Sequence, residues 1–436
     1  MKKIVKNIFI IVLLFSKQLP AQEIISIGKS EVLSKISENN LSLKISKEEF
    51  NAAKADYKQT NAIFLPNITA SHTGISTTNP LMAFGSKLNQ AILTQNDFNP
   101  ALLNNPAQTQ NFATIIKVEQ PIINLDGFYQ RKAAKSKMDA MSLQSKRTKD
   151  YLTFEVEKAY MQLQLAYKGE QVLEKALQTA NENQKLAENS FKQGLLQRAD
   201  VLNVEVRVTE IKNQLQTAKS NVQNASNYLS FLMNDDSFVI YKPTDSLTVS
   251  NFSMDNKTIS ENRSDIKAMQ LSTKAYEAIN KADKMSFLPR LNAFGSYEMY
   301  DNTVFQGNAS GYLIGAQLSW DIFKGSKRFG KAQKSKAEFE KSKLAYNQYV
   351  SQSNLEFNKV QRQLIDAKNK LELTALAVQQ SKESLRIRKN RFKEGLEKTS
   401  DLLQVETQYL QKQLEYYQTV FEYNYTQKYL EFLTKE

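Results

Sequence analysis

Cysteine is absent from all 436 residues, and histidine occurs once, as His72. No disulfide or thiol nucleophile is open to this chain, and one imidazole gives a Zn site too few partners. Only 13 Gly and 8 Pro are present, which points to long uninterrupted elements and away from a loop-rich enzyme. A mean hydropathy of -0.50 with 41% apolar residues excludes a helical protein of many membrane spans. No Ser-His-Asp set or phosphate-cradling Gly loop appears, and the Asp and Glu residues are scattered along helical segments. The sequence therefore reads as a non-enzyme, with no cofactor and no metal.

Charge is plentiful: 58 Lys+Arg against 45 Asp+Glu give +13. Part of that excess lies in the first 21 residues, where Lys2, Lys3 and Lys6 precede the apolar run Ile8 to Phe15, and Leu19-Pro20-Ala21 offers a small residue at a cut before Gln22. This pattern predicts a cleaved secretory signal at 1–21, too short to span a membrane. Its removal takes away four Lys and no acid, leaving +9, and no Cys follows for lipid attachment. The remaining Lys and Arg are dispersed at helical spacing among Gln, Asn and Glu, with no cluster of basic and aromatic residues. Solvated helix faces account for them, and no nucleic-acid partner is expected.

The chain repeats itself. Phe191-Lys192-Gln193-Gly194-Leu195 is followed by Asp200-Val201-Leu202-Asn203-Val204-Glu205, and 201 positions later Phe392-Lys393-Glu394-Gly395-Leu396 is followed by Asp401-Leu402-Leu403-Gln404-Val405-Glu406. Phe64-Leu65-Pro66 returns as Phe287-Leu288-Pro289 at a spacing of 223. Matched blocks in the same order predict a tandem duplication: a first repeat at 22–233, a linker at 234–260 and a second repeat at 261–436. The first copy carries 23 extra residues between Pro66 and Val118, within Thr77 to Asn111.

After each Leu-Pro pair the hydrophobic period switches to two. Tyr312, Ile314, Ala316, Leu318 and Trp320 share one face, as do Phe112, Thr114, Ile116 and Val118. Strands are expected at about 67–77, 111–121, 290–300 and 311–321, with lengths of about ten residues that suit a tilted membrane strand. Helical hairpins are expected at 128–232 and 326–434. Leu152, Val156, Ala159 and Leu163 in the first, and Phe357, Val360, Leu364, Ala367 and Leu371 in the second, step by three and four, the mark of a coiled-coil seam. The first helix of each hairpin would reach about 100 Å at 1.5 Å per residue. The fold class is α+β, predominantly α, with two tandem strand-strand-helix-helix repeats. Four strands cannot close a barrel in lipid, so copies of the chain must assemble; three would give twelve strands. The competing reading is a soluble periplasmic coiled-coil adaptor or scaffold, which would carry compact β domains instead.

The leader, the duplicated unit, the two Phe-Leu-Pro entries and the two Phe-Lys-x-Gly-Leu-x4-Asp-x-Leu-x-Val-Glu motifs together resemble the TolC-type outer membrane efflux protein family over nearly the whole mature chain. The resemblance implies a homotrimer with a 12-stranded barrel in outer-membrane lipid, continuous with an α-helical tunnel in the periplasm. It implies an exit duct for efflux or type I secretion, which meets a periplasmic adaptor (membrane fusion) protein and an inner-membrane transporter. By the same resemblance 234–260, with Asp235, Asp236, Pro243 and Asp255, would lie in an equatorial collar, and the motifs would form hairpin tips at the closed mouth. Gly194 and Gly395 are then turn positions, and Phe191, Leu195, Phe392 and Leu396 surfaces for the adaptor. Asp401 falls where an inward acidic gate residue is common, with Gln404 at the place of a second acid, and Glu397 stands where some members carry a basic latch. The local alternative for Asp200 and Asp401 is a helix N-cap, and for the two Phe the end of the coiled-coil seam. Trp320 suits an interfacial membrane anchor or packing in the collar. His72 is expected in the strand wall, and Thr77 to Asn111 as a polar loop at the barrel's outer end, either passive, narrowing the exit, or a target for phage or antibody.

Overall fold

The computed structural model describes residues 23–237, 239–250 and 258–436. The expected leader at 1–21, and Asp255 within the linker, lie outside the described residues. The chain is predominantly helical with some sheet. The described residues divide into two units, one within 23–47, 144–264 and 349–436, the other of residues 48–143 and 265–348.

The second unit holds a four-stranded antiparallel sheet in the order β2 (Asn67–Thr77), β3 (Thr109–Ile123), β5 (Arg290–Asp301), β6 (Ala309–Ser319). Its register sorts side chains into two unlike faces. Ala70 pairs with Ile116, Ile116 with Tyr297, and Tyr297 with Tyr312; Ile68, Val118, Ile314 and Leu318 join that apolar side. The face is bare, with Tyr312 and Ile314 each 77% exposed. Thr69, Lys117 and Ser296 pair along the other side, together with Ser71, Glu119, Glu298 and Gln317. Lys117 and Glu119 form an ion pair there. Gly74 and Gly315 leave room for the rings opposite them: a Cβ at Gly74 would come 2.6 Å from Phe112, and one at Gly315 2.7 Å from Phe294. His72 is part of the wall, its ring stacked on Phe305 at 4.3 Å and its Nδ1 2.8 Å from Thr114 Oγ1.

The strands meet helices at one end of the sheet and hairpin connections at the other. Helix α2 (Leu41–Gln59) leads through a short 3-10 turn to β2, and α7 (Ser264–Met285) leads to β5. Strand β3 runs into α5 (Leu125–Lys192) and β6 into α8 (Lys327–Lys393). Asn124 starts α5 three residues before the hydrophobic pattern does, because its side-chain oxygen accepts from Gly127 N at 3.1 Å. Arg131 then braces the joint, donating to Thr60 Oγ1, Asn61 Oδ1 and Tyr57 OH. Asp126 pairs with Arg290 at the start of β5.

The 77–111 connection is partly helical, where a polar loop was expected. Helix α3 (Pro80–Asn89) and helix α4 (Pro100–Asn104) each begin with an Asn-Pro pair. Asn79 accepts from Met82 N and Asn99 from Ala101 N, while proline fits the first helical position, whose N–H has no helical partner.

The first unit is built on the long helices and a two-stranded parallel sheet of β1 (Ile24–Ile27) and β4 (Ile240–Pro243). Strands of four residues are too short to show an alternation, which hides them in the sequence. Val32 and Ile36 of α1 (Lys29–Asn39), Val156, Ala159 and Leu163 of α5, and Leu229 and Met233 of α6 (Arg198–Met233) close one core with Ile27 and Tyr241. Each such large apolar side chain adds about 1.5–3 kcal/mol on full burial. Phe357, Val360, Leu364 and Leu371 of α8 close another core with Val420, Leu430 and Leu433 of α9 (Thr399–Thr434). Tyr160 OH donates to Ile27 O and to Asp245, and burial with that carboxylate pushes the phenol up to about 12.

The bare apolar face carries a first prediction. Ile314→Arg places a charge where lipid would lie and should cost about 2–4 kcal/mol of membrane-folded stability if the site lies near mid-bilayer. A urea titration of protein folded into vesicles, followed by its heat-modifiable gel mobility, would show the lowered midpoint.

Candidate tip and gate site

The two motif turns have the same backbone. At the first, Gly194 N donates to Phe191 O at 2.9 Å and Leu195 N to Ser190 O at 2.9 Å; at the second, Gly395 N reaches Phe392 O at 3.0 Å and Leu396 N Arg391 O at 2.9 Å. Each closes its helix with a left-handed glycine, φ +74° at Gly194 and +72° at Gly395. Four residues beyond each Gly the second helix begins, at Arg198 and at Thr399.

Their side chains differ. Leu195 and Leu396 are exposed, 72% and 66%, and Phe191 is partly so. Phe392 is only 9% exposed, so it is no tip surface; it ends the buried stripe of α8 and turns inward. The N-cap positions are Gln197 and Lys398, and neither Asp200 nor Asp401 occupies one. Both aspartates stand at the third helical position because each turn releases its chain into the helix two residues before the Asp. Asp200 accepts from Gln197 N at 3.1 Å, the reach-back half of a capping box. Asp401 makes no such bond. Its Oδ1 accepts from Ser400 Oγ at 3.1 Å, and its Oδ2 lies 3.6 Å from Arg388 Nη1.

Arg388 and Arg391 were not singled out by sequence, where they look like two more cations in a solvated run. They converge on Glu397, at 2.5 Å and 3.0 Å, and that side chain is 8% exposed. The position of the expected basic latch is thus an acid clamped by two arginines of its own hairpin. Two cations face two carboxylates, so the charge of Asp401 is balanced locally.

One turn further on, Gln404 lines a groove of about 670 Å³ between α6 and α9, together with Asn203, Arg207, Glu210, Thr407 and Gln408. Behind it lies a buried polar cluster. Asn183 donates to Glu406, and Arg207, nearly buried, donates to Glu210 at 3.1 Å. Burial raises the Glu406 carboxyl above its ordinary value against the smaller opposing effects of Lys389, Asn183 and Arg207. Sequence shows Glu406 only as a motif letter; a Glu at a seam position between Val405 and Leu410, both buried, is the signal that could have marked it.

Trp320 follows the last residue of β6, exposed on the side of Leu318, with its indole N–H bonded to Phe287 O at 2.9 Å. Ile322 and Phe323 beside it are also bare. Among the described residues no group of three or more His, Cys, Asp or Glu could hold a metal ion, and no helix is long and apolar enough to cross a membrane.

A sequence profile described as outer membrane efflux protein matches residues 32–235 and 257–432. The chain belongs to the outer membrane efflux protein family. Members are non-enzymatic transport channels of the outer membrane with a periplasmic tunnel, and this chain shares that localisation. No curated protein matches it in sequence. Solved structures resemble it in fold. The Campylobacter jejuni outer membrane channel CmeC has a TM-score of 0.81 at 17% identity, over 93% of this chain and 85% of its own. CusC, described with the conformational changes of folding and transmembrane channel formation, has 0.80 at 14%, over 93% and 91%. The outer membrane protein VceC of Vibrio cholerae has 0.79 at 16%, over 93% and 96%. At these identities the likeness concerns the fold.

Two predictions follow from the tip geometry. The space around Gly395 is open, so Gly395→Ala should lose about 1 kcal/mol through its positive φ alone, and Gly395→Asn less; thermal melts of the two variants check the order. For Glu406, a folded pKa above the unfolded 4.5 means that its contribution to stability is present below about pH 4.5 and fades as pH rises through the folded value. Glu406→Gln should therefore melt higher than the parent at pH 8, and the two melting temperatures should converge in acid.

Proposed function

We propose that the chain is the exit duct of a tripartite efflux pump or a type I secretion system. Three copies join β6 of one to β2 of the next and close a 12-stranded barrel, continuous with a coiled-coil tunnel in the periplasm. The observation that carries this reading is the sheet, apolar and bare on one side, polar on the other, and, among the described residues, unpaired at both outer edges. A soluble scaffold would have to hide that face. The repeats at 22–233 and 261–436, joined by the linker at 234–260, descend in this reading from one duplicated strand-strand-helix-helix unit.

Conduction is passive. Phe191, Leu195 and Leu396 offer apolar tip contacts to a periplasmic adaptor, which couples the duct to an inner-membrane transporter. Adaptor binding moves the tip helices, and the aperture near Asp401 and Gln404 widens to admit cargo. Three copies of Asp401 around a narrow pore attract cations, and Arg388 moderates that field. Glu397 cannot serve as a basic latch, so closure draws on the arginine clamp within each second hairpin. Trp320 marks the periplasmic interface of the outer membrane, where its amphipathic ring is at home.

Detergent-purified protein should have the mass of three chains and give discrete channels in a planar bilayer. Asp401→Ala should raise single-channel conductance and weaken block by trivalent cations, and Arg388→Gln should strengthen that block. A soluble monomer that leaves bilayers silent would overturn the duct; block unchanged in both variants would retire Asp401 as its gate.

A further inference from the structure

The connection between β2 and β3 is an ordered body with a definite side. Ala83, Ser86 and Gln90 form the buried stripe of α3, and two small side chains in it allow close approach to the sheet. Gln90 Nε2 donates to Gln110 O and to Asn111 Oδ1, each at 2.8 Å. Thr109, Asn111 and Ala113, the β3 residues buried at this end, alternate with Gln110 and Phe112. They share the side of Lys117 and Glu119, the polar side, opposite Ile116 and Val118. The insert therefore folds over the sheet face that a closed barrel turns toward its lumen, at the hairpin end, away from the helices.

It is also internally braced. Lys87 Nζ reaches Asp97 Oδ1 at 2.7 Å, and Asp97 Oδ2 accepts from Thr94 N at 2.7 Å and Thr94 Oγ1 at 2.8 Å. These bonds hold the Asp97 carboxyl down at about 2. Phe84 meets Phe98 edge to face at 5.6 Å. At about 100° per residue, Leu81 and Leu88 point opposite the stripe that grips β3. Both are bare, Leu81 to 80%, as are Ile92, Phe98 and Leu102.

We propose that residues 78–108 form an apolar constriction of the barrel's outer mouth, a second barrier in the conduction path distinct from the tip. The inference rests on the trimeric-barrel reading above. Three inserts, each anchored to its own lumen wall, leave a passage lined by Leu81, Leu88, Phe98 and their neighbours. A narrow apolar passage sheds water and so resists ions and hydrophilic solutes more than apolar or amphiphilic ones. The cargo class it favours is accordingly apolar or amphiphilic small molecules. The other hairpin connection, residues 302–308, is too short to contribute a comparable body.

The absence of native cysteine makes the test direct. Ser296 lies on the polar face, five residues below the end of β5, and Ser296→Cys should react with a small water-soluble methanethiosulfonate on intact cells. A bulky charged maleimide added outside should label it slowly in the otherwise native chain. Replacing residues 80–106 by a short glycine-containing turn should speed that labelling at least tenfold, and Leu81→Ser with Leu88→Ser, which leave the grip on β3 untouched, should speed labelling by the small reagent several-fold. Equal rates with and without the insert, in protein that still runs as a trimer, overturn the constriction and spare the duct. If Ser296→Cys reacts only with a lipid-soluble reagent, the polar face does not line a lumen, and the barrel reading falls with it.

Discussion

Hydrocarbon offers no partner to a backbone N–H or C=O, and a sheet of four strands has two edges that need one. Almost every feature of the second unit answers to that constraint. The strands are antiparallel and run for about eleven residues or more, the length a tilted crossing demands. Their apolar side is left bare, while Lys117, Glu119 and Glu298 gather on the other. All four strands meet long helices at the same end, so the chain leaves the sheet in one direction only. In the barrel reading proposed above, closure by further copies satisfies both edges without another residue of sequence, and a chain of modest length then suffices for a pore.

The tips show how one backbone solution can support two chemistries. Both turns use a left-handed glycine and the same pair of backbone hydrogen bonds, and both place an aspartate at the third position of the following helix. There Asp200 spends its carboxylate on the backbone of its own helix start. Asp401, in the same place, instead accepts from Ser400 Oγ and lies 3.6 Å from Arg388 Nη1. A difference of one side-chain bond thus separates a capping residue from one that lies against an arginine of its own hairpin.

Sequence shows the features that have a period or a repeat. The alternation at Tyr312 to Trp320 and the three-and-four steps at Leu152 to Leu163 and at Phe357 to Leu371 are visible because each rests on several side chains facing one way. The tandem motifs locate both turns, since a glycine that must adopt positive φ has few substitutes. Other features depend on partners distant in the chain. The β1–β4 ladder joins residues more than two hundred positions apart through strands too brief to alternate. Arg388 gains its meaning from a turn that brings Glu397 back to it, and Phe392 and Phe191 look alike until one is found buried. The helices of the 78–108 insert were legible in principle, through Asn79-Pro80 and Asn99-Pro100, but the abundance of Asn, Gln and Pro speaks for a loop when composition is weighed ahead of position.

The duct reading also explains why the chain is so poor in chemistry and so rich in charge. A conduit that only opens and closes needs no reactive group; it needs walls that water tolerates on one side and that pack on the other. Ion pairs along α8, such as Arg386 with Glu383 and Lys343 with Glu340, sit on exposed positions where each adds little stability. Because both pairs join residues of one helix, they tie it to no neighbour, whereas many buried pairs between helices would resist the sliding that the duct reading requires. The stronger polar contacts stand at a few places: Arg131 and Asp126 at the strand-to-helix joint, Tyr160 and Tyr241 around β1 and β4, Asn183 with Glu406 between helices, and the clamp on Glu397 at the tip. Between them lie long seams of Leu, Val and Ala, whose non-directional packing tolerates small rotations better than hydrogen bonds do. In the duct reading, movement falls to these seams, while the bonds of Arg131 and Asp126 hold the strand ends in place.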